Sequence, residues 1–243
     1  MSWNDLFVNM DNTNFFNFSF LPKYGSAFVR GFEYTLLLAV VSVLLAVIPA
    51  LLLAMMRLSK VKPIKWFAGA YIAVFRSTPM LVQLSIIYFG LFHYITLPRT
   101  LLFGFIAINR FIPGVVALAL NSSAYVAEII RGGIMGVDKG QMEAGRSLGM
   151  SYVTTMKDII LPQAMKSALP ALINEMITLL KETSICGYIG LNELTRGGDI
   201  IRGITFDALF PLFTVALIYL VMVLFIQWIM GKVERRLRSS DYR

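Results

Sequence analysis

The 243-residue chain contains one cysteine, Cys186, and one histidine, His93. A single cysteine excludes an intrachain disulfide framework. A single histidine excludes a multi-histidine metal centre, and no cluster of acids or thiols takes its place, so no metal is expected. No segment matches the Gly-x-x-x-x-Gly-Lys-Ser/Thr loop that cradles nucleotide phosphates, so the chain is not expected to hydrolyse ATP itself. No nucleophile, base or acid pair stands at a recognisable catalytic spacing, and no catalytic residue is assigned. The first residues lack a basic stretch ahead of an apolar core, so a cleaved signal peptide is not expected. Charge is scarce too: 15% of residues are charged, where a soluble domain has about a quarter.

What replaces charge is apolar surface. Hydrophobic residues make up 57% of the chain, and the mean hydropathy is +0.71. A membrane-spanning helix needs about 20 apolar residues. Five runs qualify: Tyr34 to Met56 with Pro49 inside it, Trp66 to Phe92 interrupted by Arg76, Phe111 to Ala127, Leu169 to Ile189 with Glu175, Lys181 and Glu182 inside it, and Ala208 to Met230. The expected fold is an all-α polytopic membrane protein in the lipid bilayer, with no internal repeat and no long soluble domain.

The net charge of +8 would suggest nucleic acid for a soluble protein. In a membrane protein it reports sidedness, because Lys and Arg gather on the cytoplasmic side. Arg57, Lys60, Lys62 and Lys65 follow the first run. Arg131, Lys139, Arg146, Lys157 and Lys166 lie between the third and fourth. Lys232, Arg235, Arg236, Arg238 and Arg243 follow the fifth. These fourteen face Lys23, Arg30, Arg99, Arg110, Arg196 and Arg202 on the other side. The N-terminus is therefore expected outside and the C-terminus in the cytoplasm. Residues 1–25 form an external segment, 26–231 the membrane domain and 232–243 a basic cytoplasmic tail. The stretch WNDLFVNMDNTNFFNFSF suits either a short helix on the outer interface or a disordered lead-in.

The longest inward loop, residues 138–162, carries EAGRSLGMSYVTTMKDIILP from Glu143 onward. Asp138 and Gln141 stand at capping-box spacing, which predicts a helix from Lys139 to Leu148. Gly149 sits where a left-handed cap is wanted. Ser151 suits the N-cap of a second helix reaching Ile160, which Pro162 would end or bend. Such an elbow is either a structured loop or a docking knob for a soluble partner.

Polar residues also occur inside the runs, where they are costly and face a cavity or a partner. Arg76 and Gln83 are seven apart, on one face of a continuous helix, with Ser77, Thr78 and Pro79 between them; Pro79 frees backbone carbonyls. Asn121, Tyr125 and Glu128 make a stripe on the third run, beside Ser122. Asn174, Thr178 and Lys181 make another on the fourth, with Glu175 and Glu182 next to it. These stripes either line a hydrophilic path for a zwitterion or bond one another. For Arg76 both readings stand. Lys181 and Glu182 are adjacent and cannot face each other on a helix, which favours a structural role for them. Glu128 lies near the cytoplasmic end, where a side chain can reach water.

The loop resembles the EAA loop of bacterial ABC importer permeases: Glu143-Ala144-Gly145, three residues, Gly149, nine residues, Ile159, one residue, Leu161-Pro162. Only Gly145 departs, standing where the pattern has alanine. FRSTPMLVQL (75–84), NSSAYVAEIIRGGI (121–134), GQMEAGRSLGM (140–150), ILPQA (160–164), LPALINE (169–175) and LLKETS (179–184) resemble the polar amino acid permeases of that family. The resemblance implies a non-catalytic permease subunit in the bacterial cytoplasmic membrane. It implies a second permease copy or similar subunit, an ATPase subunit that carries the ATP and magnesium, and an extracytoplasmic amino-acid-binding protein. Glu143, Ala144, Gly145, Arg146, Gly149, Leu161 and Pro162 would then form the ATPase-coupling element. An ion-coupled secondary carrier is the alternative; the odd number of runs without inverted halves argues against it.

Overall fold

The computed structural model describes residues 18–102, 104 and 106–238. Helix α1 (Leu21–Leu58) starts with Pro22 in its first turn, where a missing N–H matters least. It begins at Leu21 rather than at Tyr34, so most of what was expected as an external segment lies outside the described residues, and its last five residues, 21–25, are helix. At 1.5 Å per residue it is roughly 57 Å long, well beyond a bilayer core of about 30 Å.

The second expected span is not one straight helix. Helix α2 (Lys62–Ser77) ends at Thr78, whose ψ is 146°. Pro79 is also extended, and α3 (Met80–Ser85) follows, continued by a π-helical turn at Ile86–Leu91. The two arms meet at 107°. The cause is local: a residue before proline is driven out of the helical region. Beyond the bend, two short strands, β1 (Leu101–Leu102) and β2 (Ile106–Ala107), pair antiparallel, a small ladder in a chain expected to be purely helical.

Helix α4 (Ile108–Met135) is the centre of the fold. Of its most apolar stretch 61% is buried, against 17% for α9 (Phe210–Arg238) at the periphery. Helices α1 and α4 run in the same direction. Tyr34 and Leu38 meet Phe111, Val115 and Leu118 at one end, and Leu53 and Ala54 meet Ala124, Ala127 and Ile130 at the other. Along α1 the buried Ser42, Ala46, Ala50 and Ala54 recur every fourth residue, the small-residue spacing that lets helices approach in a membrane.

After α4 come α5 (Lys139–Ser147) and α6 (Tyr152–Thr155). The chain then passes through a π-helical turn at Met156–Ile160 into α7 (Leu161–Glu182). Pro162 does not end the second helix of the loop. It sits at the start of α7, just past the π-helical turn, and the helix passes through it without ending. Helix α7 crosses α4 closely: a Cβ on Gly133 would lie 2.7 Å from the carbonyl oxygen of Ala164. A 3₁₀ segment (Thr183–Ile189) and α8 (Leu194–Thr205) lead to α9. Helices α1, α4 and α9 are long and apolar enough to cross a membrane, and the bent α2–α3 pair makes a fourth if it counts as one. Helix α7 has 22 residues but carries Lys166, Asn174, Glu175, Lys181 and Glu182, and is not among them.

Candidate functional site

The bend at Pro79 leaves helical carbonyls without their partners, and a side chain takes them up. The amide nitrogen of the buried Gln83 donates to Phe75 O (2.8 Å), Thr78 O (3.0 Å) and Thr78 Oγ1 (2.8 Å). Its own carbonyl accepts from Asn121 Nδ2 at 2.8 Å. The Thr78 hydroxyl in turn donates to Val74 O. Two expectations are corrected here. Arg76 and Gln83 do not share a helix face, because the break resets the helical phase between them. The carbonyls that Pro79 frees are held by Gln83 rather than offered to a cavity. Gln83 and Asn121 form a latch that ties the bend to α4.

Arg76, Ser77, Thr78 and Pro79 are exposed at the end of α2. The Arg76 guanidinium lies over the Tyr125 ring, 5.2 Å from its centroid, within reach of a cation–π attraction. One helical turn back on α4, Ser122 donates to Glu175 Oε1 of α7 at 2.9 Å. Three helices thus bring a guanidinium, an aromatic face, a hydroxyl and a carboxylate together. This set can hold an ammonium and a carboxylate at once, or it can satisfy itself. Glu182 lies on the Glu175 side of α7, half-buried, while Lys181 is exposed.

The neighbouring stripe points elsewhere. Asn174 lines a small pocket of about 210 Å³ with Gln227, Gly231 and Glu234 of α9, and Thr178 donates back to Asn174 O within α7. Glu128 is also set apart. Arg131 grips it with both Nε and a terminal nitrogen, at 3.0 and 2.7 Å, and Arg57 at the end of α1 approaches to 3.4 Å. Tyr71 of α2 bonds Leu120 O and Ser123 Oγ, both at 3.0 Å, which fastens α2 to α4 on the far side of the bend.

The elbow has the geometry that its caps predict. Asp138 Oδ1 accepts from Gly140 N and Ser151 Oγ from Thr154 N. Gly149 has φ +82°. Gly149 N donates to Arg146 O and Met150 N to Gly145 O, both at 3.1 Å, the paired bonds of a Schellman cap. The Gln141 side chain does not complete a capping box; its oxygen faces Gln163 Nε2 at 3.4 Å. Around the turn Leu148, Tyr152 and Val153 are 82%, 58% and 72% exposed. Glu143, Ala144 and Arg146 are exposed along α5, and Gly145 is buried. Leu161 and Pro162 start α7.

One buried acid went unnoticed in the sequence. Glu193 is fully buried and caps α8 by accepting from Thr195 N and Arg196 N, both at 2.7 Å. Tyr219 of α9 donates to it at 3.4 Å, and Leu194 N donates to Thr35 Oγ1 of α1. The carboxylate thereby joins α8 to α9, and the neighbouring Leu194 N–H ties α1 to the same point. It also borders a cleft of about 440 Å³ with Ser184, Tyr188, Arg196 and Asp199. Its only local signal is an acid at an N-cap, a position where negative charge suits the helix dipole.

The chain matches known proteins along most of its length. It is 45% identical over 213 residues to the arginine transport system permease protein ArtQ of Bacillus subtilis, covering 88% of this chain and 93% of that one. It is 39% identical over 209 residues to the putative glutamine transport system permease protein GlnP of Rickettsia prowazekii, covering 86% and 92%. Among solved structures it is similar to an amino acid ABC transporter crystallised with histidines, at TM-score 0.81 and 45% identity, covering 91% of this chain and 99% of that one. The methionine transporter MetNI, at TM-score 0.70 and 20% identity, shares the fold. Residues 42–239 match the family described as the binding-protein-dependent transport system inner membrane component, and the chain belongs to that family.

Proposed function

We propose that the chain forms the membrane path for polar amino acids in an ATP-driven importer, working with a second permease subunit, a separate ATPase that binds ATP and magnesium, and an external binding protein. The observation that carries this reading is the meeting of Arg76, Tyr125, Ser122 and Glu175 on α2, α4 and α7, which offers both charge signs and an aromatic face to one zwitterion. Ser77, Thr78 and Pro79 border it at the bend. The names of the similar proteins, which mention arginine, glutamine and histidines, support an amino acid as the cargo.

Five crossings suit this function: α1, the bent α2–α3 pair, α4, α7 and α9. Helix α7 spans roughly 33 Å at 1.5 Å per residue, and Glu175 faces α4 rather than lipid, as an ionisable residue in a membrane should. The distribution of basic residues supports an external N-terminus. The elbow of α5 and α6 would then stand in the cytoplasm. Its exposed Leu148, Tyr152 and Val153, beside Glu143 and Arg146, suit an EAA-type coupling element docked in a groove of the ATPase. The unbroken helical run from Tyr152 to Glu182 provides a rod along which ATPase movement reaches Glu175.

The test is uptake into proteoliposomes that contain the permease and its ATPase. Radiolabelled amino acid should enter only with ATP on the cytoplasmic side and loaded binding protein on the other. Uptake driven by an ion gradient, without ATP or the ATPase, would overturn the proposal.

A further inference from the structure

We infer that Thr155 and Gly145 are a fitted pair that sets the angle between the two helices of the elbow, so that residue 155 decides what residue 145 can be. The inference rests on the reading of the elbow as the ATPase-coupling element, and it concerns how that element keeps its shape.

Helices α5 and α6 are mostly exposed. Gly145 is the buried residue of the first and Thr155 the buried residue of the second, and they bury each other. A Cβ added to Gly145 would lie 2.6 Å from Thr155 Cγ2, 3.0 Å from Oγ1 and 3.3 Å from Cβ. The first distance cannot be tolerated without movement. Thr155 cannot simply turn aside. Its hydroxyl donates to Ser151 O at 2.9 Å, and since both γ positions crowd the added Cβ, any other staggered rotamer still leaves one γ heavy atom there. Relief must therefore come from spreading α5 away from α6. The spread would pull on the cap itself, because Gly145 O is the acceptor for Met150 N across the turn.

This explains the departure at position 145. A glycine inside a helix is normally less stable than alanine, so a free choice would favour alanine. Thr155 removes that choice by filling the space the alanine methyl needs. Because α6 continues through the π-helical turn into α7, a change of elbow angle is carried to α7. Thr155 is thus a positioning residue that acts through Gly145.

Two readouts test the pair. Spin labels on Lys139→Cys and Lys157→Cys, in a Cys186→Ala background, report the distance across the elbow in the complete chain in nanodiscs. Gly145→Ala should lengthen or broaden that distance, and adding Thr155→Ser, which removes the crowding methyl, should return it to the wild-type distribution. In the complex with ATPase and binding protein, Gly145→Ala should lower uptake per ATP hydrolysed by about tenfold, a factor equivalent to 1.4 kcal/mol, and the double variant should recover most of it. An unchanged distance in Gly145→Ala overturns the inference, and so does a double variant that keeps the altered distance. The docking reading fails separately: if Leu148→Asp leaves ATPase capture and uptake at wild-type levels, the elbow is not the docking element, whatever the spin labels show.

Discussion

The side-chain amide of Gln83 lies 2.8 Å from the carbonyl oxygen of Phe75, eight residues back and on the other side of the Pro79 bend. It replaces backbone hydrogen bonding that the bend removes. In a membrane no water is at hand for an abandoned carbonyl. Gln83→Leu should therefore destabilise the protein by about 1–3 kcal/mol, the cost of leaving buried polar groups unpaired. Gln83→Glu should do the same, because an ionised carboxylate accepts but cannot donate. The check is thermal unfolding of the purified permease in detergent. Equal melting temperatures for wild type and Gln83→Leu would show that the latch does not hold the bend.

Arg76 should behave differently. It is exposed, and its contact is with the face of Tyr125, so its removal leaves no buried group stranded. Arg76→Lys keeps the charge but loses the planar fork that grips a carboxylate at two points. Uptake should fall about tenfold or more, while the melting temperature changes little. Tyr125→Phe keeps the ring and should transport nearly normally; Tyr125→Leu should resemble Arg76→Lys. Normal uptake by Arg76→Lys would rule out a bidentate role.

How much of this was legible in the sequence depended on range. The elbow was, because caps are local: Ser151 bonds a residue three positions on, and Gly149 takes a conformation that few other residues favour. Pro79 announced a break, but a proline does not say where the next helix points, so the 107° bend and the loss of the shared Arg76–Gln83 face came only with the fold. The early start of α1 was hidden by Lys23, Arg30 and Glu33, which interrupt the apolar pattern without interrupting the helix. Glu193 was illegible for the opposite reason. It looks like a loop acid, and only the approach of Thr35 and Tyr219, from helices far away in sequence, makes it a buried one.

Glu128 was a candidate for the path, yet two arginines hold it. Its partners are 26–27% exposed, so the pairs are partly screened and contribute about 1 kcal/mol rather than the value of a fully buried pair. Glu128→Gln should lower the melting temperature by a few degrees and leave the KM for uptake unchanged. A raised KM at normal stability would return Glu128 to the path.

The orientation can be read with single cysteines in a Cys186→Ala background. Tyr94, in the chain beyond the Pro79 bend, is 87% exposed, and Val153, on the elbow, is 72% exposed. A membrane-impermeant maleimide added outside intact cells should label Tyr94→Cys and leave Val153→Cys untouched until the cells are opened. Labelling of Val153→Cys from outside would invert the topology and place the elbow away from any cytoplasmic ATPase.

The sharpest test of the elbow is Gly149, because its backbone and its surroundings separate cleanly. A side chain there meets nothing within 4 Å, so any penalty is conformational. The left-handed conformation at φ +82° costs an ordinary L-residue about 1–2 kcal/mol, and a β-branched one fits it worst. Asparagine tolerates it best after glycine. Gly149→Val should therefore insert and express normally but loosen the cap, shifting the elbow away from its native angle by roughly tenfold in population. Stimulated ATP hydrolysis and uptake should fall together while the ATPase still co-purifies. Gly149→Asn should stay close to wild type in both. Glu143→Lys, on the exposed side of α5, should instead weaken capture of the ATPase if that side docks as proposed, because it reverses a charge there without touching the turn. If Gly149→Val matches Gly149→Asn in stimulated hydrolysis, the left-handed cap is a local detail and the angle of the elbow does not carry the coupling.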